Sequence, residues 1–192
     1  MKAKTSSLFK NEGIQFIGWF LCLFVLFYYF NLFFISITAR GSNPLYLFLR
    51  DDLNYIDWLR SSILHTSQFF CGFIGIKTHV EKVFILRSDT SHIGLRMVYR
   101  CIGYGVMSFW TAFVIANKGH WQKKTIWLVA GWVTIWLINC FRMTLLMVAL
   151  EHHWPINKFM DHHSLFNIVA YIFVLLLIFL YIKFDKPKAH KK

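Results

Sequence analysis

Three kinds of group in this 192-residue chain could do chemistry together: a thiol at Cys101, a guanidinium at Arg142 and an imidazole pair at His162 and His163. A thiol can act as nucleophile, an imidazole can carry its proton, and a cation can offset the negative charge that develops on an attacked carbonyl oxygen. Those are the parts of an acyl transfer. Arg142 is the least ordinary of them. It stands inside the apolar run Thr125–Leu150, where nothing else carries a full charge, and an arginine there costs at least ~2.5–3.5 kcal/mol even on a lenient insertion scale. Asn139 precedes it by three residues on the same helical face, so the two form a polar seam expected to turn toward neighbouring helices.

The elements that must position these groups are membrane elements. Apolar residues make up 57% of the chain, aromatics 19% and charged residues only 16%, and the mean hydropathy is +0.48, which excludes a soluble domain. The net charge of +12 comes from basic residues strung along loops and tails rather than interleaved with aromatics on one face. Lipid headgroups, not nucleic acid, are the partner this predicts. No repeat or linker divides the chain, so residues 1–192 are read as one domain.

Four runs approach the roughly 20 apolar residues that a bilayer requires: Ile14–Thr38, Ile102–Asn117, Thr125–Leu150 and Ser164–Phe184. The first is read as a retained anchor, being too long for the apolar core of a signal peptide and lacking a small-residue cleavage site. A fifth stretch, Trp58–Ile76, carries Arg60, His65 and several hydroxyl and amide side chains; it suits an interfacial or partly buried helix. Charge bias decides the count. Lysines at 2, 4 and 10, at 118, 123 and 124, and from 183 to 192 all lie inside only if there are four spans. The expected fold is an all-α polytopic membrane protein: a four-span helical bundle with a short outer-face helix and a β-hairpin in the outer segment 39–100.

This topology predicts that the chemical groups share the outer face. Cys101 would open the second span from outside, and His162 and His163 would stand at the outer mouth of the fourth. Arg142 lies about nine residues short of the outer loop, roughly 13 Å along a helix. Upstream of the cysteine, Val80–Leu86 and Leu95–Arg100 are β-prone and flank the polar turn Arg87–Gly94, which predicts a hairpin leading into a helix. Cys101, followed by Gly103 and Gly105, would then sit at a helix N-terminus, where free backbone N–H groups favour an anion.

Plainer readings accompany each group. Cys22 and Cys140 read as mid-span packing, and Cys71 with Cys101 could form a structural disulfide if both face an oxidising compartment. His152, His153, His162 and His163 surround a short outer loop. They suggest a rival from another class, a non-enzymatic membrane protein such as a histidine-based metal or haem carrier or an assembly partner. Neighbouring histidines on one helix cannot both face one ion, and no C-x-x-C, H-x-x-x-H or H-E-x-x-H spacing is present, so neither metal nor cofactor is expected.

The strings CIGYG at 101–105, NCFRMTLL at 139–146 and DHHSLFN at 161–167 together resemble the exosortase/archaeosortase family of membrane cysteine transpeptidases, over roughly the C-terminal half of the chain. The resemblance implies Cys101 as nucleophile, Arg142 as stabiliser of substrate or oxyanion, and His163 as the proton-transfer residue, with Asn139, His162 and Gly103 in support. His163 is preferred to His162 because the family histidine is commonly followed by an aromatic and then a small or polar residue, here Phe166 and Asn167. Asn167 stands where the family usually has glycine, and Ile102 where serine or glycine commonly follows the cysteine. Longer members have more spans, so this chain looks like a short variant. The implied activity is cleavage, at the outer face of a bacterial inner membrane, of exported proteins bearing a C-terminal motif, a membrane helix and a basic tail.

Overall fold

The computed structural model describes residues 12–40, 47–49, 52–82, 84–154 and 162–184, with the side chains at 39, 40, 100, 162–167 and 170 outside that description. In chain order the elements are α1 (Glu12–Arg40), α2 (Tyr55–Phe73), strands β1 (Thr78–Glu81), β2 (Ile85–Ser88) and β3 (Gly94–Arg96), a 3-10 turn (Tyr99–Ile102), α3 (Tyr104–Ala116), α4 (Trp121–Glu151) and α5 (His162–Phe184).

Helix α1 lies antiparallel on α3 through a ladder of aromatic rings. Phe16 meets Phe113, Phe20 and Phe24 both meet Phe109, and Tyr28 meets Tyr104. An Asn31 Nδ2 donation to Ser108 Oγ at 3.2 Å adds a polar contact between the same two helices. Helix α3 turns back onto α4, where Gly131 leaves the space that the Trp110 indole fills. Small residues serve this purpose where helices pack without a hydrophobic drive between them. Helix α5 closes the bundle antiparallel to α4, its Tyr181 ring packing on Trp127 near the start of α4 and on Phe113 near the end of α3. One end of the molecule therefore carries Glu12, Lys118 and the start of α4, joined by a 3.0 Å ion pair between Lys118 and Glu12. The other carries the sheet, the 3-10 turn, Glu151 and the start of α5.

Helix α2 does not follow the up-and-down alternation. Its contacts with α4 advance in the same sense on both helices, from Trp136 on Ser62 to the Cys140 carbonyl on Ser67 and a stacked Phe70–Phe141 pair. It thus points the same way as α1 and α4. Ile63, Leu64 and Cys71 are fully buried in a core shared with Leu86 of the sheet and Met143 and Met147 of α4.

The sheet is antiparallel in the order β1-β2-β3. Val80–Leu86, expected as one strand, is two: Lys82 takes a left-handed φ of 54°, so the chain reverses and Glu81 pairs with Ile85. The polar turn expected at Arg87–Gly94 then joins β2 to β3, with Leu86 opposite Leu95. Ser91 Oγ donates to Glu151 Oε2 at 2.6 Å and fixes this turn to the end of α4.

Two helices, over Glu12–Thr38 and Trp121–Glu151, are long and apolar enough to cross a membrane. The expected second span is shorter than the sequence suggested: α3 has 13 residues, roughly 20 Å of helix. The reason is Gly103, whose φ of 83° interrupts the helix after the turn that holds Cys101.

Candidate functional site

Cys101 does not begin a helix, as its spacing from the glycines suggested. It lies in the 3-10 turn before α3, after Val98 in extended backbone. Its own amide donates to the Val98 carbonyl at 2.9 Å, and the first bond of α3 runs from Met107 N–H to the Gly103 carbonyl, also at 2.9 Å. Placing the cysteine one turn ahead of the helix lets its side chain face α4 instead of the helix's own axis.

Helix α4 meets the turn with two polar residues one helical turn apart. Asn139 Nδ2 donates to the Ile102 carbonyl at 2.9 Å, satisfying an acceptor that would otherwise be buried without a partner. Arg142 Nη2 approaches Cys101 Sγ at 3.5 Å. Cys101, Asn139 and Arg142 are each 7% exposed, so the contact lies away from bulk water, where a hydrogen bond to a charged group gains strength. A guanidinium in this place can donate both to a thiolate and to an oxyanion formed beside it. The polar seam expected of Asn139 and Arg142 does turn inward.

These groups line one end of a cavity of about 900 Å³ bounded by α1, α3, α4 and α5. Its remaining walls are mainly apolar and aromatic, with Phe24 and Leu32 from α1, Phe109 from α3 and Val174 from α5. Tyr28, Tyr104 and Tyr171 add hydroxyl-bearing rings. The volume and the few convergent polar groups suit a binding site for an elongated apolar ligand with one polar point. A second depression of about 640 Å³, lined by His65, Lys77 and Asp89 among others, contains none of the three.

Cys101, Gly103, Asn139 and Arg142 are thus brought together. His162 and His163 open α5, and the antiparallel packing of α5 on α4 brings its first turn to the end of the bundle that carries the 3-10 turn. Their side chains lie outside the described residues. His152 and His153 are exposed beyond the end of α4, and among the described residues no three His, Cys, Asp or Glu side chains converge. Cys71 and Cys101 are both free thiols, so no disulfide joins them. Burial pushes the Cys71 thiol above its ordinary value of 9.0. Cys140 is buried, as packing requires, whereas Cys22 is exposed on α1.

Arg60 is the site neighbour that sequence reasoning missed. The polar residues of 58–76 suggested an interfacial or partly buried helix without singling out Arg60, which is 5% exposed and donates to the Met97 carbonyl at 2.7 Å. Its signal was the spacing Asn54, Asp57, Arg60, one every three residues at a helix start, which is the pattern of a cap that continues into an ion pair. Asn31 was also overlooked: it accepts from the Tyr55 hydroxyl at 2.7 Å and links α1 to α2. No protein-family model, curated protein or solved structure matches the chain.

Proposed function

We propose that the chain is a membrane-embedded cysteine peptidase or transpeptidase that cleaves exported proteins at the outer face of a bacterial inner membrane, next to a C-terminal membrane helix and basic tail. The observation that carries this reading is the 3.5 Å approach of Arg142 Nη2 to Cys101 Sγ at the end of an apolar cavity. A buried arginine that costs several kcal/mol to place has a use when charge develops beside it.

Formation of the thioester needs only groups of this chain and the substrate, and its release needs water or an acceptor amine. Cys101 Sγ attacks the scissile carbonyl as its proton passes to His163, and the carbonyl electrons form an oxyanion that Arg142 offsets. Collapse of that intermediate breaks the C–N bond; the leaving amine takes the proton from His163 and a thioester remains on Cys101. Water or an acceptor amine then releases it. Helical periodicity supports His163 over His162 for this role. Val174, a cavity residue, follows position 163 by eleven residues, or about three turns, and so shares its face.

A four-span arrangement supports the location. The Lys118–Glu12 pair, Lys123 and Lys124 gather at one end of the bundle, which the positive-inside rule reads as cytoplasmic. Cys101 then belongs to the outer half, and the shortness of α3 sets it below the membrane surface. Helix α2, parallel to α1 and α4, leaves the four-span parity unchanged.

The test compares C-terminal peptides of exported membrane proteins in cells producing the natural chain, Cys101→Ala or Arg142→Lys. The expected result is that a set of proteins keeps its C-terminal helix and basic tail in both variants and loses it only with the natural chain. Identical C-termini in all three would remove the reading.

A further inference from the structure

We propose that Arg60 is a positioning residue that holds the Cys101 turn in place against Arg142. This rests on the reading of Cys101 and Arg142 as the reacting pair. The segment from Met97 to Ile102 leaves β3 and carries the cysteine, and among the described residues its one strand-like bond is from Met97 N–H to the Phe84 carbonyl at 2.8 Å. Arg60 supplies the fixation. Its Nη2 donates to the Met97 carbonyl at 2.7 Å, and the planar group sits 4.6 Å from the centre of the Tyr99 ring and 5.3 Å from that of Phe84.

The guanidinium is itself anchored in α2. Its Nη1 donates to Asp57 Oδ1 at 3.0 Å, while Asp57 Oδ2 accepts from Asn54 Nδ2 at 2.8 Å and the Asp57 amide donates to Asn54 Oδ1. A capped helix start therefore fixes a carboxylate, the carboxylate fixes a guanidinium, and the guanidinium fixes a carbonyl four residues before Cys101. Two arginines bracket one short segment, Arg142 at the sulfur and Arg60 at the backbone. A charge-assisted hydrogen bond combined with ring stacking demands the flat, forked shape of arginine, which lysine does not reproduce.

The experiment uses the full chain in detergent with Cys22, Cys71 and Cys140 replaced, and measures the rate of Cys101 alkylation by N-ethylmaleimide at one fixed pH. Parent, Arg60→Met, Arg142→Gln and the double variant form a cycle. Because Arg60 acts through the placing of Cys101 against Arg142, each single variant slows alkylation by about tenfold and the double variant is no slower than either single, a strong non-additivity between residues that share one unit. Asp57→Asn, which keeps the buried arginine and weakens its anchor together with the Asn54 contact, slows the reaction in the same direction and serves where Arg60→Met does not fold. Arg60→Lys does not restore the parent rate.

An Arg60→Met or Asp57→Asn rate equal to the parent's overturns the proposal, as does a double variant slowed by the product of the two single effects. Failure of the underlying reading looks different: Arg142→Gln alone then alkylates as fast as the parent.

Discussion

Gly103 and Asn139 meet so closely that a Cβ on the glycine would lie 3.0 Å from Asn139 Nδ2, the atom that holds the Ile102 carbonyl. The glycine also has a φ of 83°, a region costly for any residue with a side chain. Gly103→Ala is expected to lose about 1–3 kcal/mol of stability and to displace Asn139 from the turn. Asn139→Ala leaves the carbonyl unsatisfied and costs about 1–3 kcal/mol by a different route. Thermal unfolding in detergent reads both, and an unshifted midpoint for Gly103→Ala would show that the turn does not need this close approach.

Arg142 is expected to be irreplaceable by lysine. Removing a donor aimed at a developing oxyanion typically lowers turnover by about 10²–10³, and a lysine lacks the planar fork that reaches sulfur and oxyanion together. Processing of an exported substrate by Arg142→Lys should fall by that order while the protein stays monodisperse. Near-natural turnover would assign Arg142 to packing.

The seat of Trp110 on Gly131 gives a stability test far from the site. A methyl at position 131 would overlap the indole, whose Nε1 donates to the Trp127 carbonyl at 3.1 Å. Gly131→Ala is expected to cost about 1–3 kcal/mol by overpacking. Trp110→Leu should relieve part of that cost in the double variant, so additive losses would contradict the contact.

Sidedness can be read with single cysteines in an otherwise cysteine-free chain. Thr90→Cys, in the exposed turn between β2 and β3, should react with an impermeant maleimide in intact cells. Lys118→Cys, on a side chain 79% exposed, should react only after permeabilisation. Labelling of both from one side defeats the four-span topology.

The sheet should carry a small acid sensitivity. A hydrogen bond and the charge of Arg87 hold the Glu81 carboxyl below its ordinary value of 4.5. A carboxyl lowered in the folded state stabilises above the ordinary value, and that contribution is lost as the pH falls through the lowered one. The pair is solvent-exposed, so salt weakens it. The protection of β1 and β2 amides, taken as exchange relative to the unfolded-chain rate at each pH, should fall on acidification in the natural chain and lose that dependence in Glu81→Gln; an equal dependence in both would place its origin elsewhere.

Some of this was legible in the chain because it depends on local composition. Long apolar runs made α1 and α4, the polar content of 58–76 marked a helix unlike the others, and the cost of Arg142 and Asn139 in an apolar run required that they turn inward. Charge bias along the chain predicted that Cys101, Arg142 and the histidines share one face, and folding brings Cys101 and Arg142 into contact. What only the tertiary structure decided depends on backbone geometry and on partners far away in sequence. Lys82 reverses the chain inside what reads as one strand, because a left-handed φ at a lysine leaves no mark in a hydrophobic pattern. Cys101 enters a 3-10 turn because Gly103 lies against Asn139, a contact between residues 36 positions apart. Arg60 is buried for the same kind of reason: Asp57 is close enough in sequence to suggest a partner, but the Met97 carbonyl and the Tyr99 ring that stabilise its charge come from another element, and only folding brings them to it.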